Sequence, residues 1–190
     1  MILTVGHSNH PIENFLALLS GAGVTAVTDV RSFPVSRHAP QFNKDALGAT
    51  LPAHGISYRY LGEALGGRPR DSAFYRVGVV DYDKLAAADS FLAGLHTVIE
   101  AAANHRIALL CTERDPLHCH RCLLVARHLA ERGIDIGHVL ASGAIEGQHA
   151  TEDRLLAMEG LGGDDLFSRA SRLADAYRAH RPRVSSVAAE

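Results

Sequence analysis

The polar residues best suited to chemistry fall in a few short runs. These are Gly6-His7-Ser8-Asn9-His10, Asp29-Val30-Arg31-Ser32, Cys111-Thr112-Glu113-Arg114-Asp115 and His118-Cys119-His120-Arg121-Cys122. Glu113 and Asp29 are carboxylates able to activate water or stabilise an oxocarbenium ion during cleavage of a glycosidic bond to a sugar or base. His7 joins them as a candidate catalytic group. Arg31, Arg37, Arg68 and Arg121 carry the planar fork that grips phosphate, and Ser8, Asn9, Ser32, Cys119 and His120 complete the candidate anion-binding set. The plain alternatives are an Asp29–Arg31 pair that merely satisfies itself and a Glu113 that caps the following helix or pairs with an arginine.

The three cysteines, Cys111, Cys119 and Cys122, lie within twelve residues of one another and cannot all pair. This fits free thiols in a reducing, cytoplasmic compartment. Together with His118 or His120 they offer four soft ligands to zinc, and Cys119 and Cys122 form a C-x-x-C at a helix start, where a dithiol pair can act. Metal sites usually draw ligand pairs from separate places, whereas here everything falls in one strand, turn and helix. No metal and no cofactor are therefore expected, with thiol redox or metal chemistry as the second alternative.

The surrounding pattern shows what must position these groups. Ile2 to Val5 is an apolar run ending at Gly6, and Pro11 to Leu19 reads as a helix with Pro first and Glu13 in its first turn. Val24 to Val30 and Arg106 to Cys111 read as buried strands, as does Ile136 to Leu140. Lys84 to Ala103 and His118 to Arg132 read as helices. Strands alternating with helices predict an α/β fold with an open, mainly parallel sheet flanked by helices, and ligands then sit beyond the carboxyl ends of the strands. Between them Ser32 to Asp83 reads as a long, irregular, basic loop segment covering those strand ends. Residues 1–150 are expected to form the α/β domain. Residues 151–190 are expected to be a C-terminal helical extension, broken at Gly160 to Gly163 and frayed from Arg181.

Charge points to an anionic partner. Of the 19 basic residues, 17 are arginine, and Arg31 to Arg76 holds seven basic residues against three acidic, while Val77 to Asp165 holds seven against fourteen. No apolar run approaches the about 18 residues of a membrane span, and 47% hydrophobic content is enough for a core. A disordered chain is excluded, and no membrane partner is expected.

Thr4-Val5-Gly6-His7-Ser8, Asp29 to Pro34, Ser36-Arg37 with Phe42-Asn43, Leu65-Gly66-Gly67-Arg68, and Cys111-Thr112-Glu113 through Pro116 to Cys119-His120-Arg121 together resemble the bacterial "domain of unknown function 488" family. The resemblance covers roughly residues 2 to 140, leaves Cys122 outside its motifs, and implies a compact Rossmann-like domain without an agreed activity. With no P-loop, no Gly-x-Gly-x-x-Gly and no cluster of magnesium-binding carboxylates, the sequence favours a hydrolase of N-glycosidic bonds. Its substrate would be a nucleoside, a nucleotide or a base in nucleic acid, in the last case in the manner of a DNA glycosylase. The alternative is a non-catalytic module that binds an anionic small molecule or nucleic acid.

Overall fold

The computed structural model describes residues 1–163 and 166–185. Its first half supplies β1 (Ile2–Gly6), α1 (Ile12–Gly21), β2 (Ala26–Asp29), α2 (Lys44–Ala53), β3 (Ser57–Tyr60), α3 (Gly62–Leu65), β4 (Tyr75–Arg76) and β5 (Val79–Val80). The second half adds α4 (Tyr82–Ala86), α5 (Asp89–Ala101), β6 (Ile107–Cys111), a π-helical segment (Arg121–Ala126) running into α6 (Arg127–Ala130), β7 (Ile136–Val139), β8 (Ile145–Gly147), α7 (Gln148–Met158) and α8 (Arg169–Ser185). Six strands form one sheet in the order β3-β2-β6-β1-β7-β8. Every pair is parallel except β7 with β8. The predicted open, mainly parallel α/β sheet is therefore what forms. No helix among the described residues is long and apolar enough to cross a membrane.

The central strands β1 and β6 are buried on both faces, which is why they read as unbroken apolar runs. On one face Leu3, Val5, Ala108 and Leu110 pack against Phe15 and Leu19 of α1 and Leu47 and Leu51 of α2. The opposite face carries α5, the π-helical segment, α6, α7 and α8. Thus the crossover leaving β1 and the one leaving β6 cover opposite faces of two neighbouring strands. Between such strands the outgoing chains diverge and leave a crevice, the usual ligand position in an open α/β sheet.

Several elements differ from the sequence expectation, each for a packing reason. The Ser32 to Asp83 segment is not irregular: it folds as α2, the edge strand β3, α3 and the β4–β5 hairpin. β3 escaped notice because an edge strand with one solvated face has no apolar run, and its residues are alternately exposed and half-buried. The helix expected over Lys84 to Ala103 is two, parted at Ala87 and Ala88, with Ala88 at ψ 139°. Leu85 and Phe91 both enter the core, and six residues at about 100° each would put them on different faces of one unbroken helix. The C-terminal helices α7 and α8 pack onto the sheet, where Leu155, Leu156, Ala176 and Tyr177 share the cluster of Ile2 and Ile107. α8 continues through Arg181, which is paired with Asp83, to Ser185. The rest of the tail expected to fray, residues 186–190, lies outside the described residues.

Candidate functional site

The strand ends place His7 just past β1, Asp29 at the end of β2 and Cys111 at the end of β6, with Gly6 paired to Cys111 in register. Close approach there needs a glycine. A Cβ on Gly6 would stand 1.8 Å from the Glu113 carbonyl oxygen, so the absent side chain is what lets the Glu113 loop lie across the tip of β1.

Asp29 is sealed rather than catalytic in its geometry. Its carboxylate takes Arg31 Nε at 2.9 Å and Nη2 at 2.6 Å, and Tyr58 donates its hydroxyl at 2.8 Å. Asp29 is wholly buried and Arg31 is 5% exposed. Arg31 also donates to the Phe42 carbonyl and, through Nη1 at 3.0 Å, to His7 Nε2, so four of its five N–H groups are engaged. His7 in turn donates Nδ1–H to the Ser8 carbonyl at 2.8 Å and stacks on Phe42. Burial, and then the Arg31 charge, push the His7 imidazole down to about 4. It is neutral near pH 7 and serves as an acceptor that fixes Arg31. Burial opposes the Arg31 charge, but the bonds and charge of Asp29 prevail and raise it.

Arg121 is placed differently from a phosphate clamp. It has no exposed surface, and its guanidinium donates to the carbonyls of Glu113 and Arg114 and to Thr4 Oγ1. Its work is to hold the Glu113 loop. From Thr4 a buried polar chain continues: the Thr4 hydroxyl lies 2.8 Å from His138 Nδ1, His138 Nε2 2.8 Å from Gln148 Oε1, and Gln148 donates to Tyr177 at 3.0 Å. Burial pushes His138 down to about 4.

A small polar pocket of about 130 Å³ opens beside these groups. Its floor is Cys111, Thr112, Glu113 and His120, and its walls are Arg31, Ser32, Phe33, Gly67, Arg68, Tyr82 and Val184 of α8. Arg68 and Phe33 are exposed, Phe33 at 59%, while the Arg68 amide donates to Ser32 Oγ at 2.9 Å. Of the candidate residues, Glu113, Arg31, Ser32, Arg68 and His120 line this pocket. Cys119, His7, Asp29 and Arg121 lie outside that lining, the last three as supports of Arg31 and the Glu113 loop. Ser8, Asn9 and Arg37 do not line it. Phe33, Tyr82 and Val184 were missed, and only Phe33, within the quoted Asp29 to Pro34 run, left a signal in the sequence.

Sulfur chemistry crowds the floor. Cys111 Sγ lies 3.1 Å from Glu113 Oε2 and 3.5 Å from His120 Nδ1, and Cys119 Sγ lies 3.9 Å from the same nitrogen. Cys111, Cys119 and His120 form a three-donor group, whereas Cys122 faces His138 in the core, 4.0 Å away. Burial, then the neighbouring Cys119, raise both the Cys111 thiol and the Glu113 carboxyl. Burial alone would raise Cys119 as well. The Cys111 hydrogen bond, the Arg121 charge and His120 outweigh it and hold Cys119 well below the ordinary thiol range. Burial would lower His120, but its bond to Cys119 and that sulfur's charge prevail and raise it.

The model of the family described as Domain of unknown function DUF488 matches residues 11–128, more than half of the chain. The chain belongs to this family. Within this DUF488 protein the matched stretch holds β2, β6 and the donors on the pocket floor, but neither His7 nor the α7 and α8 helices that complete the fold. No curated protein and no solved structure gives a significant match.

Proposed function

We propose that this protein hydrolyses an N-glycosidic bond in a nucleoside, a nucleotide or an extruded nucleic-acid base. The carrying observation is that Glu113 lines a small pocket together with an exposed arginine, Arg68, and an exposed aromatic residue, Phe33. At about 130 Å³ the pocket is far smaller than the ~300–1,000 Å³ clefts that bury drug-sized ligands. It suits one ring at a time, so a base within a duplex would first have to leave the stack. Phe33 offers a stacking face and Arg68 a forked donor for phosphate. Glu113 acts on water: its carboxylate takes one proton, the oxygen joins the anomeric carbon, and the carbon–nitrogen bond breaks with its electron pair leaving on the base. The proton then passes from Glu113 to that nitrogen.

A screen of nucleosides, nucleotides and modified-base oligonucleotides for released base tests this. In Glu113→Gln, turnover falls by about 10²-fold or more, the usual size of an acid–base contribution, while titration calorimetry shows the ligand still bound. Arg68→Ala weakens binding of phosphorylated ligands and not of the bare nucleoside. Unchanged turnover in Glu113→Gln ends the proposal. Binding with a steep salt dependence and no base release in any substrate favours the non-catalytic module instead.

A further inference from the structure

The proposed glycosidic step uses neither the imidazole and thiol of His120 and Cys111, which line the pocket, nor the Cys119 thiol behind them, yet these donors converge. Cys111 Sγ, Cys119 Sγ and His120 Nδ1 lie within 4.8 Å of one another, with nitrogen-to-sulfur separations of 3.5 and 3.9 Å. Around a tetrahedral zinc, bonds of about 2.3 Å to sulfur and about 2.0–2.1 Å to nitrogen place those donors about 3.5 Å apart. The two nitrogen-to-sulfur separations therefore need only tenths of an ångström of adjustment to share one ion, and the two sulfurs, within 4.8 Å of each other, need to close by about 1 Å at most.

The imidazole is oriented from behind as a ligating histidine is. His120 Nε2 sits 2.9 Å from the Val30 carbonyl oxygen, which can only accept, so Nε2 carries a proton and Nδ1 turns its lone pair to the two sulfurs in the neutral ring. Such an outer hydrogen bond to a backbone carbonyl fixes tautomer and ring angle at metal sites. Gly67 makes room for the residue, since a Cβ there would stand 2.5 Å from His120 Cβ. Two thiolates and one imidazole are a soft set that suits zinc and disfavours magnesium or calcium.

We propose that Cys111, Cys119 and His120 bind one zinc-class divalent ion whose fourth position opens toward the pocket. Three protein ligands and one open position are the pattern of catalytic rather than structural zinc. Glu113, 3.1 Å from Cys111 Sγ and outside the three-donor group, stands where it takes a proton from a water held by the ion. That last role rests on the hydrolase reading, whereas ion binding does not. The three donors come from one strand, turn and helix, and they converge because the end of β6 and the start of the π-helical segment lie against each other. The ligand set also differs from the four-ligand reading of the sequence by losing Cys122, which faces His138 in the core.

Chelator-stripped, thiol-reduced protein titrated with cobalt(II) chloride provides the test. One equivalent should develop thiolate-to-cobalt charge-transfer absorption together with the visible bands of a tetrahedral ion, and zinc(II) should displace it. Cys119→Ser and His120→Ala should each weaken cobalt binding at least ten-fold, while Cys122→Ser binds like the parent, with circular dichroism checking that each variant is folded. A folded parent protein that gives no charge-transfer band at stoichiometric cobalt overturns the proposal, as does a Cys122→Ser variant that loses the band. Tight cobalt binding without base release from any substrate supports the site and removes the hydrolase reading. Base release that is undiminished in fully chelated protein does the reverse for the ion's catalytic role.

Discussion

Asp29 and Arg31 show how a motif that reads as catalytic becomes a support. A carboxylate and an arginine one residue apart at a strand end look the same in sequence whether they await a ligand or bind each other. Here the two-toothed contact, the Tyr58 hydroxyl and near-complete burial settle the matter. Replacing one member leaves the other charged and unsatisfied away from water. Asp29→Asn is therefore expected to lose about 3–5 kcal/mol, read from the urea midpoint at constant m-value. A loss below about 1 kcal/mol is the exposed-pair result and would mean that water reaches Arg31. Because Arg31 forms a pocket wall, the same variant should also weaken ligand binding.

At the scale of elements, the frame was legible and the covering was not. β1, β2, β6 and β7 announced themselves because buried parallel strands are nearly all apolar, and α1 because its Pro and Glu mark a helix start while Phe15 and Leu19 fall one turn apart. β3 and β8 were hidden because edge strands lack that signal, and the parting of α4 from α5 because only tertiary packing demands it. The pocket was half legible: Glu113 and His120 stood out by type, but Phe33, Tyr82 and Val184 come from three separate segments that no local pattern joins. The tip of β1 shows how tightly those elements meet. A methyl at Gly6 would overlap the Glu113 carbonyl and stand 2.9 Å from Arg121 Nη1. Since backbone must yield, Gly6→Ala should cost about 1–3 kcal/mol or more, lowering Tm by ~2–4 °C per kcal/mol in a chain of this size. Base release should fall further than the lost stability explains, because the Glu113 loop moves. A variant with parental Tm and activity would show that the strand tip and loop are not in contact.

Across the whole molecule, two buried imidazoles tie the two sides of the sheet to one pH response. His7 braces Arg31 at the end of β1, and His138 on β7 links Thr4 and Arg121 to Gln148 and Tyr177. Both are held at about 4 in the folded protein, against about 6.5 in an unfolded chain. Between those values the unfolded state binds more protons than the folded one, so stability rises with pH through the window and is lost as pH falls from 6.5 toward 4. Going from pH 7 to pH 5, the two together should remove about 3–4 kcal/mol. His120, raised in the folded state, contributes in the opposite direction from about pH 6.5 upward, where its stabilisation is lost as pH rises, so it takes back part of this only at the upper end of the window. The measurement is the urea midpoint at pH 7, 6 and 5, with parent and His138→Gln side by side. The parent should weaken steadily on acidification, and the variant, with one of the two buried imidazoles gone, should show a distinctly shallower slope whatever its stability at pH 7. A parent whose midpoint is flat or rising toward pH 5 would mean that these rings already carry their protons in the fold, and the neutral acceptor assigned to His7 beneath Arg31 would have to be abandoned.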